Sequence, residues 1–161
     1  MEIVIKEHSE LSENLLLEII EIKKVAWTYT TEQHLKWIKE NLEEDDLHIL
    51  LFSSDELIGY SNLVRVESEV DSCISTIQFY GLGNVCTKYV GKGHGRLLLE
   101  GINDLLIKRK EHGVLFCKVD LVCFYEKVGW NVVNNVYPND EVYTMVYNFK
   151  GNLVNYKDRL F

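Results

Sequence analysis

A chain of 161 residues with 47% hydrophobic and 26% charged residues has the composition expected of one soluble domain, long enough to bury about two-thirds of its unfolded surface without staples. Its formal net charge of −8 argues against non-specific nucleic-acid binding, since a phosphate backbone would be repelled, and favours a cationic partner. No leader-like segment opens the sequence and no apolar run approaches twenty residues, so a cytoplasmic protein with no membrane partner is expected.

Met1 to Glu7 alternates apolar and polar residues and predicts a first strand. From Ser9 or Ser12 to Ala26, Leu15, Ile19, Ile22 and Ala26 mark the face of a helix whose serines offer N-cap oxygens. Thr30 and Gln33 form a capping box for a second helix with Leu35, Ile38 and Leu42 inward, ended by Glu43-Glu44-Asp45-Asp46. Leu47–Phe52 and Leu57–Val66 read as a hairpin around Ser53-Ser54-Asp55-Glu56, followed by a polar turn at Glu67–Ser72. Cys73–Val85 is a further strand in which Gly81 and Gly83 suggest a bulge.

The next stretch organises the chain. Gly91, Gly93 and Gly95 alternate in a loop, and Leu98, Ile102, Leu105 and Arg109 then trace a helix starting near Gly95 and stopped by Gly113. A loop without Cβ atoms lets consecutive amides converge with the unpaired amides of the helix start, where the dipole adds about half a positive charge. With Lys92 and Arg96 alongside, a phosphate or diphosphate is the expected occupant. A Walker loop is ruled out because Gly93 follows Lys92 where a serine or threonine hydroxyl is required. Gly81-Leu82-Gly83-Asn84-Val85-Cys86 fails as a dinucleotide fingerprint because it ends in cysteine and enters a strand.

Beyond the helix, Val114–Val119 predicts a strand, Leu121–Lys127 a short helix closed by Gly129, Trp130–Val136 a strand, Tyr137–Asp140 a turn and Val142–Phe149 a last strand. Lys150–Phe161 has no periodicity and is expected on the surface. Cys73, Cys86, Cys117 and Cys123 include no C-x-x-C pair and read as buried free thiols. The five histidines share no ligand spacing with each other or with the cysteines, so no metal is expected.

Val90-Gly91-Lys92-Gly93-His94-Gly95 resembles the acyl-CoA-binding loop of the GCN5-related N-acetyltransferases, written Arg/Gln-x-x-Gly-x-Gly/Ala. About thirty residues on, Phe124-Tyr125-Glu126-Lys127-Val128-Gly129-Trp130 is similar to the Phe-Tyr-Glu-Lys-x-Gly-Phe segment of that family. The version ending in Gly129-Trp130 resembles the branch that includes aminoglycoside N-acetyltransferases. Val90 departs from the pattern and removes one side-chain contact to the diphosphate.

The resemblance implies an α/β fold (an α+β mixed sheet with helices on both faces), a single N-acetyltransferase domain over residues 1–161, and acetyl-CoA as cosubstrate. It implies direct transfer of the acetyl group to a primary amine of a small, cationic acceptor. Carried onto this chain, Val85 and Thr87 would pair with the pantetheine arm, and Gly91, Lys92, Gly93, His94, Gly95 and Arg96 would hold the diphosphate. Tyr125 would protonate the departing thiolate, and the backbone N–H near Val85 would face the oxyanion. Cys86 reads as a packing thiol, not a nucleophile, and Phe124 and Trp130 as core. Glu32, Glu67 and Asp120 are the candidates for a general base, with Asp120 alternatively a helix cap. Two other readings stay open: a non-catalytic CoA-binding sensor or assembly module, and a relative using a larger acyl or aminoacyl donor. The sequence also leaves a homodimer open.

Overall fold

The computed structural model describes residues 1–70, 73–134, 142–156, 159 and 161, with backbone alone at 73–75, 154 and 155. The strands are β1 (Glu2–Glu7), β2 (Leu47–Ser53), β3 (Glu56–Val70), β4 (Cys73–Thr87), β5 (Gly113–Lys118), β6 (Asn131–Val132), β7 (Val142–Tyr147) and β8 (Leu153–Asn155). The helices are α1 (Glu13–Ala26), α2 (Thr31–Asn41), α3 (His94–Arg109) and α4 (Val119–Glu126). The ladder order is β1-β2-β3-β4-β5-β7-β6 with β8 on β3, a mixed sheet because β4 and β5 run parallel while the other described pairs are antiparallel. Two compact units divide the chain: Met1–Val64, Gly83–Ile102 and Phe161 in one, Arg65–Leu82 and Asn103–Leu160 in the other.

In the first unit, β1 pairs with β2 from Glu2↔Phe52 to Glu7↔Leu47, and β2 turns into β3 through Ser54 and Asp55, with Ser54 at φ 55 as a tight hairpin requires. Ser12 caps α1 by accepting the Leu15 amide at 3.3 Å. The capping box on α2 is complete: Gln33 N–H donates to Thr30 Oγ1 at 3.2 Å, and Thr30 N–H to Gln33 Oε1 at 2.8 Å. Thr30→Ala should therefore cost about 1 kcal/mol and lower Tm by about 2–4 °C in a thermal melt.

The buried side of α2 differs from expectation. His34 and Ile38 face inward and Leu42 is buried beyond them, whereas Leu35 is exposed. The helix is turned about one residue because Trp37 lies over the Lys23 ammonium, 4.3 Å from it, which brings the 34/38 side of α2 inward.

The core of this unit joins Ile19 and Ile22 of α1 to Leu50, Leu57, Tyr60 and Cys86 of the sheet, with Val4, Leu15, Trp27 and Phe52 packed around them. A polar chain crosses it: His8 Nδ1 lies 3.0 Å from His48 Nε2, and His48 Nδ1 lies 3.0 Å from the Tyr60 hydroxyl. His48 and Tyr60 are fully buried. Burial, with His8 and Lys23 nearby, pushes the His48 imidazole down to about 3.

In the second unit, β3 continues to Val70 with Glu67 and Glu69 outward and Ser68 and Val70 inward. The polar turn expected at Glu67–Ser72 is thus strand as far as Val70, because alternation of charged and buried residues suits a sheet with one wet face. Residues 71 and 72 and the side chain of Cys73 lie outside the described ones. The β4–β5 ladder consists of Tyr80↔Gly113 and Gly81↔Val114.

Helix α3 ends at Arg109 because Lys110 takes a left-handed φ of 58, so Gly113 is not its stop. Gly113 opens β5 instead, where a Cβ would come within 2.7 Å of the Trp130 ring and 2.9 Å of Leu106. Trp130 is buried, its Nε1–H donating to Asn103 Oδ1 at 3.0 Å, while Asn103 Nδ2 donates to Val128 O at 2.7 Å.

Asp120 does not cap α4. Lys118 occupies that position without a side-chain bond, and Asp120 lies in the first turn, where it complements the dipole. The strand expected at Trp130–Val136 is Asn131–Val132 among the described residues, and the turn at Tyr137–Asp140 lies outside them. The tail is more than surface: β8 pairs Glu69↔Asn155 and Val70↔Leu153, Leu153 is buried, and a Cβ at Gly83 would strike the backbone of Phe161.

Candidate functional site

The end of β4, the glycine loop and the first turns of α3 all lie in the first unit. Val85 and Thr87 are half-buried on either side of a buried Cys86, and Lys88 N–H donates to Ile58 O at 2.9 Å. Within β4, Asn84 takes φ 53 and donates through Nδ2 to Asn62 Oδ1 at 2.7 Å. Burial pushes the Cys86 thiol up to about 12, and its Sγ lies 3.8 Å from Tyr60 O. Such a thiol packs and does not attack.

Lys88 Nζ pairs with Glu56 at 2.6 Å and the Tyr89 hydroxyl donates to the same carboxylate at 3.0 Å, which fixes the chain where it leaves the sheet. Gly91 and Gly93 follow at φ 76 and 78, and a Cβ on either would meet nothing within 4 Å. The loop therefore opens on free space, and its turn needs two of the three glycines. Gly95 stands in the first turn of α3 with no positive φ.

The first helical bond runs from Leu97 N–H to Gly93 O at 3.2 Å. The amides of Gly93, His94, Gly95 and Arg96 consequently have no acceptor within the helix. Lys92 is exposed in the loop; Arg96 is exposed and holds Glu100 through Nε at 2.7 Å. His94 is half-buried, edge-on to Tyr89, with a buried Nδ1 that has no hydrogen-bond partner among the described residues. Four adjacent free amides, a helix dipole and two cations form a cradle whose chemistry suits a diphosphate.

Tyr125 lies in the second unit, in the last turn of α4, edge-on to Phe124 and Trp130 with centroids 5.1 and 6.3 Å away. It is 7% exposed, and burial, then the nearby Cys117, raise its phenol above the ordinary value. Its hydroxyl makes no hydrogen bond among the described residues. Of the candidate bases, Glu32, Glu67 and Asp120 are all exposed, and Glu32 is held below the usual carboxylate range by its own backbone amide and by Thr30. Cys117 is buried like Cys86, its thiol raised to about 11 by burial, but Cys123 is exposed, contrary to expectation, because α4 turns it outward.

A cavity of about 390 Å³ in the first unit was not foreseen. Trp27, Tyr29, Trp37 and Phe161 wall it, with Lys23, Gln33, His34 and Asn84 as its polar groups. Lys23 is 2% exposed and burial lowers its ammonium to about 8. Its ammonium sits over the Trp37 ring. The His34 ring is buried, and its Nε2 has no hydrogen-bond partner among the described residues. Burial keeps this imidazole below its ordinary value, hence neutral at pH 7. One local hint of this lay in the sequence, a histidine at i−4 from Ile38 on a capped helix.

No group of three His, Cys, Asp or Glu that could hold a metal occurs among the described residues, and no described helix is long and apolar enough to cross a membrane. No protein-family model matches the sequence, nor does any curated protein. Solved structures do. An acyl-CoA N-acyltransferase from Pseudomonas aeruginosa superposes with a TM-score of 0.67 at 17% identity, covering 91% of this chain and 99% of that one. PaiA N-acetyltransferase from Thermoplasma acidophilum, solved with coenzyme A, gives 0.61 at 20% identity over 92% of this chain and 100% of that one. The aminoglycoside 6'-N-acetyltransferase from Enterococcus faecium gives 0.64 at 14% identity over 89% and 96%. At these identities the likeness is one of architecture: the mixed sheet and the four α-helices among the described residues have the fold of the acyl-CoA N-acyltransferases.

Proposed function

We propose that the protein is a single-domain N-acetyltransferase that moves the acetyl group of acetyl-CoA directly to a primary amine of a small molecule. The observation that carries this reading is the cradle after β4: two glycines at left-handed φ over open space, running straight into the amides of α3. Neighbours of the same fold have been solved with coenzyme A, which supports the choice of occupant.

Acetyl-CoA supplies an activated thioester. The amides from Gly93 to Arg96, with Gly91, Lys92 and His94, hold its diphosphate, and the backbones of Val85 and Thr87 pair with the pantetheine arm as a further strand would. The amide of Val85 faces the oxygen on which charge develops. Tyr125, still protonated at neutral pH because burial raises its phenol, gives the leaving thiolate its proton.

Gly93→Val tests the cradle. A β-branched residue at φ 78 is strained by about 1–2 kcal/mol and projects into the open space, so calorimetry should show CoA binding weakened at least about tenfold. An unchanged dissociation constant removes the loop from the site. CoA binding by the parent protein without thiol release on any amine would favour the non-catalytic reading instead.

A further inference from the structure

Among the described residues Lys23 is the one lysine that is buried, and it stands in the wall of the aromatic cavity. Three observations set it beside the end of β4. Ile19 and Ile22, on the turn of α1 just before it, share a core cluster with Cys86. The Lys23 charge and the Cys86 thiol act on each other through the interior. Asn84 lines the same cavity as Lys23 and is followed directly by Val85. These residues belong to the first unit, as does the glycine loop. An amine is thus held next to the strand segment that the proposed function assigns to the pantetheine arm.

A lysine is a costly side chain to pack there. Its ammonium is desolvated, and the Trp37 ring, 4.3 Å away, offsets that cost only in part. The same burial brings it down to about 8, so at pH 7 about a tenth of it is free amine, at least about a hundredfold more than for an exposed lysine. A desolvated free amine is the nucleophile that a thioester requires.

We propose that Lys23 is itself an acceptor: acetyl-CoA bound by the same molecule acetylates its ε-amine, a covalent modification inside the cavity. This rests on the transferase reading for its donor. The Nζ lone pair forms a bond to the acetyl carbon as the carbon–sulfur bond of the thioester breaks. The nitrogen loses one proton and the departing thiolate gains one, so the products are a neutral amide on Lys23 and the free coenzyme thiol, with no further reagent consumed. The amide carries no charge, which suits an aromatic cavity better than the ammonium does.

The full chain is incubated with acetyl-CoA near neutral pH, and acetylation of each lysine is followed in time by peptide mass spectrometry, with the exposed Lys36 and Lys39 as references. Lys23 should be modified at least about tenfold faster than either reference, at a rate independent of protein concentration. Excess desulfo-CoA, which has no thiol, should suppress labelling of Lys23 and leave the two references unchanged. No modification of Lys23, or modification no faster than that of the references, overturns the inference. Fast labelling that desulfo-CoA does not suppress shows a merely reactive lysine and overturns transfer from the bound donor; a rate that rises with protein concentration overturns transfer within one molecule. The failures are distinguishable. Thiol release on added amines with Lys23 unmodified keeps the transferase and removes this inference, whereas self-acetylation with no release on any added amine keeps this inference and removes the small-molecule acceptor. No CoA binding in calorimetry and no thiol release removes both.

Discussion

Replacing Tyr125 with phenylalanine is expected to lower kcat by about 100- to 10,000-fold while leaving the dissociation constant of CoA within about twofold. The substitution keeps the ring that packs edge-on against Phe124 and Trp130 and deletes only a hydroxyl with no hydrogen bond among the described residues, so the fold should not suffer. An objection is that burial makes this phenol a weaker acid than the ordinary tyrosine, and a coenzyme thiol is ordinarily more acidic than either. Burial penalises a thiolate as well. Inside this protein it carries Cys86 to about 12 and Cys117 to about 11, so a leaving thiolate buried to the same degree would hold a proton far more tightly than in water. Steady-state kinetics and calorimetry on the variant check this, and an unchanged kcat would take Tyr125 out of the reaction.

The second large effect concerns acid. His48 is held at about 3 when folded and returns to about 6.5 when exposed, so between those values the unfolded chain binds a proton that the native one refuses. Stability is therefore complete above about pH 6.5 and falls as the pH drops toward 3. Between about pH 6.5 and 4.5 this site alone should remove about 2–3 kcal/mol. The groups facing it act in the same direction: His8 and Lys23 both disfavour a charge there, and the Tyr60 hydroxyl is the remaining partner. His48→Gln removes the titration and keeps a polar group, so its urea-unfolding free energy should depend on pH less steeply by that amount. Parallel pH profiles for the two proteins would assign the acid sensitivity elsewhere.

Local chemistry was readable in the sequence and cooperative burial was not. Thr30 and Gln33 specify a helix start by themselves, and a glycine pair that must turn left-handed before a helical period marks the cradle without help from distant residues. The orientation of α2 depends on something else, the stacking of Trp37 over Lys23 on another helix, and so the expected face was displaced from Leu35 to His34. The same packing makes Lys23 and His34 chemically unusual; in sequence they are an ordinary lysine in an acidic helix and one histidine among five. β8 was missed because a three-residue strand, held by the pairs of Leu153 and Asn155 with Val70 and Glu69 far back along the chain, leaves no periodic signal. Polarity misleads in the same way: the run from Glu67 to Val70 looks like a turn until one face of the strand is known to be wet.

The outward placement of Cys123 has a practical side. It lies two positions before Tyr125 on α4, while Cys86 and Cys117 are buried with thiols raised to about 12 and 11. A maleimide dye at neutral pH should distinguish Cys123 from those two and place a fluorophore within one helical turn of the phenol. The same thiol will consume disulfide reagents in any colorimetric readout of released coenzyme, so the blank must contain the protein, and a Cys123→Ser background gives the cleaner measurement.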